Sequence, residues 1–305
     1  MARSATDILA EHGKTVARLL GGLPARWTHT AHGAFRDDAP GSLVEGTMYS
    51  LNAGGKRIRP ALILESFAAA GGPASGRHAA ESAALAMEMV HTFSLVHDDL
   101  PAMDDDDLRR GMPTNHVKFG EAAAVLAGDA MLSGAFEVLA DVSPPAVAIG
   151  LVGELARATG PSGMIGGQTL DIAAEGTTVS AAELARIHRM KTGALLTASC
   201  RLGGIAAGAP ADVLDALTAY GRHAGLAFQI VDDILDVIST PEQLGKATGK
   251  DSAAGKNTYP GVHGLPASKA KAAEELHLAE AAIEPLGGRA DGLRELARFI
   301  VVRSM

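Results

Sequence analysis

Between residues 79 and 100 the apolar side chains Leu85, Met89, Phe93 and Val96 recur at three- and four-residue steps, and Pro101 follows at once. That spacing predicts one long helix with an apolar face. Proline ends it, because its ring removes a backbone donor and disfavours helical geometry in the preceding residue. Such a helix commits its neighbours to packing against it. The rest of the chain agrees: 47% of the 305 residues are hydrophobic and only 4% aromatic, enough for a sizeable core. With β-branched residues sparse beside Ala and Leu, side-chain entropy favours helix over strand. Further helices are predicted over 121–139, over 181–207 with an interruption at Gly203 and Gly204, and over 211–238, stopped before Pro241. Residues 245–266 carry no sustained period and read as a loop, after which helical patterning resumes at Ala267 and breaks near 285–288. The expectation is all-α: a single domain over residues 1–305, a bundle of about ten helices with little or no sheet.

The formal charge of −8 argues against a nucleic-acid binder, which must neutralise many phosphates. Cys200 is the only cysteine, so no internal disulfide forms and a reducing compartment is expected. Asp7 and Glu11 interrupt the first twenty residues, and Asp129 and Arg201 interrupt the most apolar stretches. Neither a leader peptide nor a membrane span is expected, and a cytoplasmic location follows.

The charges themselves are clustered. In Val231-Asp232-Asp233-Ile234-Leu235-Asp236, helical geometry places Asp232 and Asp236 within roughly 40° of each other, with Asp233 beside them. Three carboxylates on one face repel unless cations meet them, and hard oxygen ligands suit Mg²⁺. The other cluster is Asp98-Asp99-Leu100-Pro101-Ala102-Met103-Asp104. In continuous helix Asp104 would lie about 120° from Asp98, but a loop after Pro101 lets it fold back. Carboxylates at a helix C-terminus also oppose the macrodipole unless a cation compensates. Two such clusters facing one another across a cavity could hold a diphosphate through several Mg²⁺ ions.

Asp98-Asp99-x-x-x-x-Asp104 followed by Arg109-Arg110-Gly111, and Phe228-Gln229-x-x-Asp232-Asp233-x-x-Asp236, resemble the two aspartate-rich motifs of short-chain trans-isoprenyl diphosphate synthases. Gly54-Gly55-Lys56-Arg57-Ile58-Arg59-Pro60, Gly166-Gly167-Gln168 with Asp171, Lys191-Thr192, and the stretch from Lys246 to Lys256 fall in that family's order. The resemblance runs from about residue 45 to the end and implies helices around a central cavity, the isoprenoid synthase fold. It also implies Mg²⁺-dependent head-to-tail joining of isopentenyl diphosphate to an allylic diphosphate, with three Mg²⁺ ions per site. It assigns Lys56, Arg59, His91 and Arg110 to isopentenyl diphosphate; Arg109, Lys191, Lys246 and Lys256 to the allylic diphosphate; and Asp98, Asp99, Asp104, Asp232, Asp233 and Asp236 to the metal. Thr192, Gln229 and the Lys191 carbonyl correspond to the dipoles that face the allylic cation. Gly249, Lys250, Asp251 and Lys256 lie in a loop that would close over the diphosphates. Arg57 is left as a solvated surface charge, and Asp105, Asp106 and Asp107 as solvated or secondary.

Phe93 and Ser94 are the candidates for setting product length. Phe93 lies about 7.5 Å along the helix from Asp98, yet about 140° around it, whereas Ser94 is more nearly in line. The resemblance favours Phe93, as a bulky aromatic there matches farnesyl-producing members, so farnesyl diphosphate is the expected product and geranylgeranyl diphosphate the alternative. A class I terpene cyclase would not need the Lys56, Arg59 and His91 constellation. A non-catalytic relative usually lacks one acidic motif, and both are present. A homodimer is expected by analogy.

Overall fold

The computed structural model describes residues 3–28, 38–238 and 257–302. Its helices are α1 (Ala5–Thr28), α2 (Gly41–Leu51), α3 (Ile58–Ala69), α4 (Arg77–Asp98), α5 (Asn115–Phe119), α6 (Glu121–Ala140), α7 (Pro145–Thr159), α8 (Met164–Ala174), α9 (Ala181–His188), α10 (Ala194–Ala207), α11 (Ala211–Ile238), α12 (Tyr259–His263), α13 (Leu265–Ala282) and α14 (Asp291–Val302). A π-helical turn, Arg189–Gly193, joins α9 to α10, and a 3₁₀ segment, Glu284–Ala290, joins α13 to α14. Among the described residues the only sheet is a two-residue antiparallel pairing of Leu108–Arg109 with Met112–Pro113. The all-helical expectation holds, with twelve α-helices of eight or more residues among the described residues where about ten were expected.

The helix carrying the first acidic cluster is the hub. On α4, Ala79, Ala80, Ala83, Ala84, Ala86, Met87, Met89 and Val90 are buried together with Leu85, Phe93 and Val96, so the apolar surface extends well around the helix, as expected of a core helix. Alanine on several faces lets neighbours approach closely: α4 packs on α6, α3 and α10, while α11 packs on α13 and α10. Its end at Asp98 falls two residues before the expected 100.

Two boundaries differ from the sequence expectation. The interruption placed at Gly203 and Gly204 does not occur, and α10 runs through both. A Cβ at Gly203 would sit 2.2 Å from the Ile63 carbonyl oxygen and 2.8 Å from the Phe67 nitrogen, so glycine there serves close approach of α10 to α3. The break falls instead at the π-turn. Helix resumes within the stretch read as a loop, since α12 begins at Tyr259 and α13 at Leu265; residues 239–256 lie outside the described residues. Helix α6 is the one helix among the described residues long and apolar enough to cross a bilayer, although no such stretch was expected. It packs against α2, α4, α5 and α7, as a core helix does.

Gly203→Ala is expected to destabilise the fold by at least about 1–3 kcal/mol through overpacking. Gly13→Ala in α1, where a Cβ meets nothing within 4 Å, should stabilise by roughly 0.5–1 kcal/mol. Urea denaturation of the two variants measures both signs.

Candidate active site

Beyond α4 the chain folds back on the helix end. The Asp104 amide donates to the Asp98 carbonyl at 2.8 Å and the Asp106 amide to the Asp99 carbonyl at 3.2 Å. Asp104 thereby returns toward Asp98, as the proline break implied. The two adjacent aspartates have different fates. Asp98 lines a cavity of about 480 Å³, and its carboxyl is pushed up to about 6, chiefly by burial and, against the pull of Lys191, by the negative charge of Asp104. Asp99 is 2% exposed, faces away from that cavity, and accepts from Arg109 Nε at 2.7 and 2.8 Å and from the Arg109 guanidinium terminus. Burial raises its pKa, opposed by Arg109. Asp99, expected on the metal, and Arg109, expected on the allylic diphosphate, are thus committed to each other.

The first turn of α3 meets α4 about two helical turns before Asp98. Arg59 donates to His91 Nε2 at 3.2 Å. A guanidinium only donates, so Nε2 accepts and the imidazole is neutral with its proton on Nδ1. Burial, then Arg59, holds His91 well below its ordinary pKa. Arg59 and His91 both line the large cavity, and Arg59 Nε is buried with no partner. Arg110 donates to the Gly54 carbonyl, and its guanidinium lies where a Cβ on Gly55 would be, at 2.7 Å. Gly55 has φ 121°. Lys56 is exposed beside them.

Arg57 corrects the expectation of a solvated charge. Its side chain is 10% exposed and pairs with Glu88, 2% exposed, and it donates to the Leu51 carbonyl at 2.7 Å. Arg57 and Arg110 have φ of 52° and 55°, a left-handed geometry that costs roughly 1–2 kcal/mol each, so the turn before α3 and the 108–113 hairpin are each held by the partners of these side chains. Glu88 was not singled out from sequence. Its signal was a lone acid within the apolar run of α4, one turn before His91.

The opposite wall is the π-turn. Lys191 and Thr192 line the large cavity with Gln168, whose Oε1 is buried without a partner. Lys191 Nζ donates to Asp171 at 2.5 Å. Thr192 Oγ1 donates to Gln229 Oε1 at 2.5 Å, and Gln229 Nε2 donates to Asp233 Oδ1 at 2.7 Å. Asp233 also accepts from the Tyr259 amide at 2.7 Å, and His188 lies 3.5 Å away. Burial pushes His188 down to about 4, so it stays neutral beside the carboxylate. Asp233 is therefore engaged within the fold, and Gln229 lines a smaller adjoining pocket instead of the main cavity. Asp236 is buried and Asp232 half-buried on the same helix; Asp232 is near enough to Arg59 to favour its charged form. Tyr259 and His188 went unnoticed because their link to Asp233 is made by folding alone. Phe93 and Ser94 both line the cavity, and Phe93 packs edge-on against His97 at 5.6 Å. Lys246, Gly249, Lys250, Asp251 and Lys256 lie outside the described residues.

Residues 41–284 match the polyprenyl synthetase family. The chain belongs to that family. It is 46% identical over 250 residues to the farnesyl diphosphate synthase of Geobacillus stearothermophilus, covering 80% of this chain and 83% of that one. With an Arabidopsis thaliana chloroplastic heterodimeric geranylgeranyl pyrophosphate synthase large subunit it shares 48% identity over 275 residues, covering 87% and 73%. The geranyltransferase of Helicobacter pylori, solved with magnesium and isoprenyl diphosphate, superposes with a TM-score of 0.82 at 30% identity, covering 99% of this chain and 98% of that one.

In this polyprenyl synthetase, no three His, Cys, Asp or Glu side chains among the described residues converge as a preformed metal cage. The donor set still fits Mg²⁺, which binds through one or two carboxylates and takes its remaining ligands from phosphates and water. Asp98, raised to about 6 with Asp104 folded beside it, is where a cation gains most.

Glu88→Gln removes the counter-charge of a buried arginine and is expected to cost about 3–5 kcal/mol in urea denaturation. Arg298→Ala, at a pair 51% and 27% exposed, should cost less than about 1 kcal/mol.

Proposed function

We propose that this polyprenyl synthetase joins isopentenyl diphosphate head-to-tail to dimethylallyl and then geranyl diphosphate, giving farnesyl diphosphate. The supporting observation is one cavity of about 480 Å³ that has the Arg59–His91 pair, the Asp98 carboxylate, Lys191 and the apolar side chain of Phe93 on its walls. A diphosphate carries several negative charges, so cations must be in place before it binds. On this reading Lys56, Arg59, Arg110 and neutral His91, donating from a nitrogen freed by ring reorientation or accepting through water, hold isopentenyl diphosphate. Lys191, with Lys246 and Lys256, holds the allylic diphosphate beside Asp98, Asp104, Asp232 and Asp236. Asp99 holds Arg109, and Asp233 holds Gln229 and the start of α12; both support the site from behind. Mg²⁺, three ions by family analogy, would neutralise and polarise the departing diphosphate when bound.

The residues then divide the reaction. Lys191 stabilises charge growing on the leaving oxygen as the allylic carbon–oxygen bond breaks. The Thr192 hydroxyl, with its proton directed to Gln229, turns its oxygen lone pairs toward the allylic cation, and the walls keep water away. The isopentenyl double bond attacks that cation, forming the new carbon–carbon bond. A proton is lost to the released diphosphate, which restores the alkene. Phe93, braced by His97, limits the depth available to the growing chain.

One domain over residues 1–305, a cytoplasmic location and a homodimer complete the proposal. Exposed Leu126 on α6 and Ile149 on α7, at 57% and 73%, support the dimer, because large apolar side chains on the solvent-facing sides of helices suit an interface. A geranylgeranyl product is the second reading, favoured by the 48% identity to the Arabidopsis enzyme.

Diphosphate release from isopentenyl and geranyl diphosphates with Mg²⁺ is expected to require both substrates, and release from the allylic substrate alone would point to a cyclase. Asp98→Ala should lower kcat by about 10²-fold or more with the fold retained; near-native turnover at saturating Mg²⁺ overturns the metal assignment.

Phe93→Ala should shift the product from fifteen carbons to twenty or more, with a stability loss of about 3–5 kcal/mol from the space opened. Chromatography of dephosphorylated products checks it. A twenty-carbon product from the native enzyme, or an unchanged distribution in the variant, replaces the farnesyl reading with the geranylgeranyl one.

A further inference from the structure

The π-turn is a partition between two cavities. Lys191 and Thr192 face the cavity of about 480 Å³, whereas Arg189 and Gly193 face a second of about 410 Å³, walled also by α7, α10, α11 and α13, and the two linings share no residue. A π-turn suits this role, since its wider ring re-aims successive side chains, and such turns concentrate at functional sites. The second cavity lies in the size range of small-molecule sites.

Its chemistry is lopsided. Ala194, Ala198 and Leu226 give it apolar wall. The two acids on its lining are already met by cations or donors: Glu154 accepts from Arg201 at 2.8 Å and Arg157 at 3.4 Å. Glu275 accepts from Lys271 at 2.8 Å and His223 at 2.6 Å. Arg189 and Arg222 are exposed on the same lining and make no hydrogen bond or ion pair among the described residues. Two unpaired guanidiniums beside apolar wall match a phosphate or carboxylate head, which arginine binds in a two-pronged fashion, attached to a hydrocarbon chain.

We propose that this cavity is a second binding site, distinct from the active cavity, for an apolar chain bearing an anionic head group. Arg189 and Arg222 take the head, and the chain lies against Ala194, Ala198 and Leu226. Such a molecule can be a prenyl phosphate or a fatty carboxylate, which share this chemistry. The site stands on its own lining and does not depend on the reaction proposed above.

The test is calorimetric titration of the full-length chain with farnesyl monophosphate and, separately, with dodecanoate. At least one should bind saturably to the native chain and to the Asp98→Ala/Arg59→Ala variant, whose active cavity is altered. Affinity should fall roughly tenfold or more in Arg189→Ala/Arg222→Ala, which removes charged bonds to the head. Leu226→Trp should block the chain. Circular dichroism and melting temperature report folding of every variant; should Leu226→Trp fail to fold, the arginine variant, altered only at exposed side chains, decides. Binding of farnesyl monophosphate alone assigns a prenyl phosphate, dodecanoate alone a fatty carboxylate, and both the shared class. Binding of neither, or binding lost with Asp98 and Arg59 but retained without Arg189 and Arg222, overturns the proposal.

Discussion

A helix buried on most sides can carry charge only where each charged group meets a partner or a ligand, because an ion taken from water without compensation costs several kcal/mol. That constraint governs α4 and, through it, the site. Glu88 meets Arg57, His91 is held neutral and accepts from Arg59, and Asp99 meets Arg109. Asp98 is the acid whose side chain opens onto the cavity, and its raised pKa records an environment that disfavours its charge. One helix therefore sets the spacing between the basic wall and the acidic rim. Nothing else in the bundle needs to measure that distance.

The second wall depends on a different device. A regular helix through 189–193 would carry the side chains of α9 and α10 on in one unbroken register. The π-turn breaks the register, so that Lys191 reaches Asp171 while Thr192 reaches Gln229 on α11. The hydrogen bonds continue through Gln229 to Asp233 and from Asp233 to the Tyr259 amide. Asp233, within the chain's second acidic run, is thereby tied to the wall of the first cavity. Positioning of this kind accounts for a buried carboxylate without requiring it to touch metal.

Much of this was legible in the chain's periodicity. The bounds of α6 and α11 follow from apolar spacing and the prolines beyond them, and the fold-back of Asp104 follows from Pro101. The basic patch, the acidic runs and Phe93 were recognisable as motifs, and Arg59, His91, Asp98, Lys191, Phe93 and Ser94 do share one cavity. What was not legible depends on partners distant in sequence. Arg57 looked solvated because Glu88 is 31 residues away, and Gly203 looked like a helix breaker because the Ile63 carbonyl that needs its missing side chain lies on another helix. The π-turn had no residue pattern of its own.

The two Asp-Asp pairs show how a motif divides its work. In each, one member is half-buried (Asp98, Asp232) and the other fully buried (Asp99, Asp233). Adjacent residues of a helix point about 100° apart, so a pair placed at a cavity edge sends one carboxylate outward and the other into the packing. The inward carboxylate is tolerable only with donors waiting for it, and Arg109 and Gln229 supply them. Each of those donors is in turn oriented by the carboxylate it satisfies. A doubled aspartate thus gives one helix position both a partly exposed carboxylate and the brace that fixes the neighbouring loop or side chain, and this explains why two identical letters in sequence meet unequal surroundings.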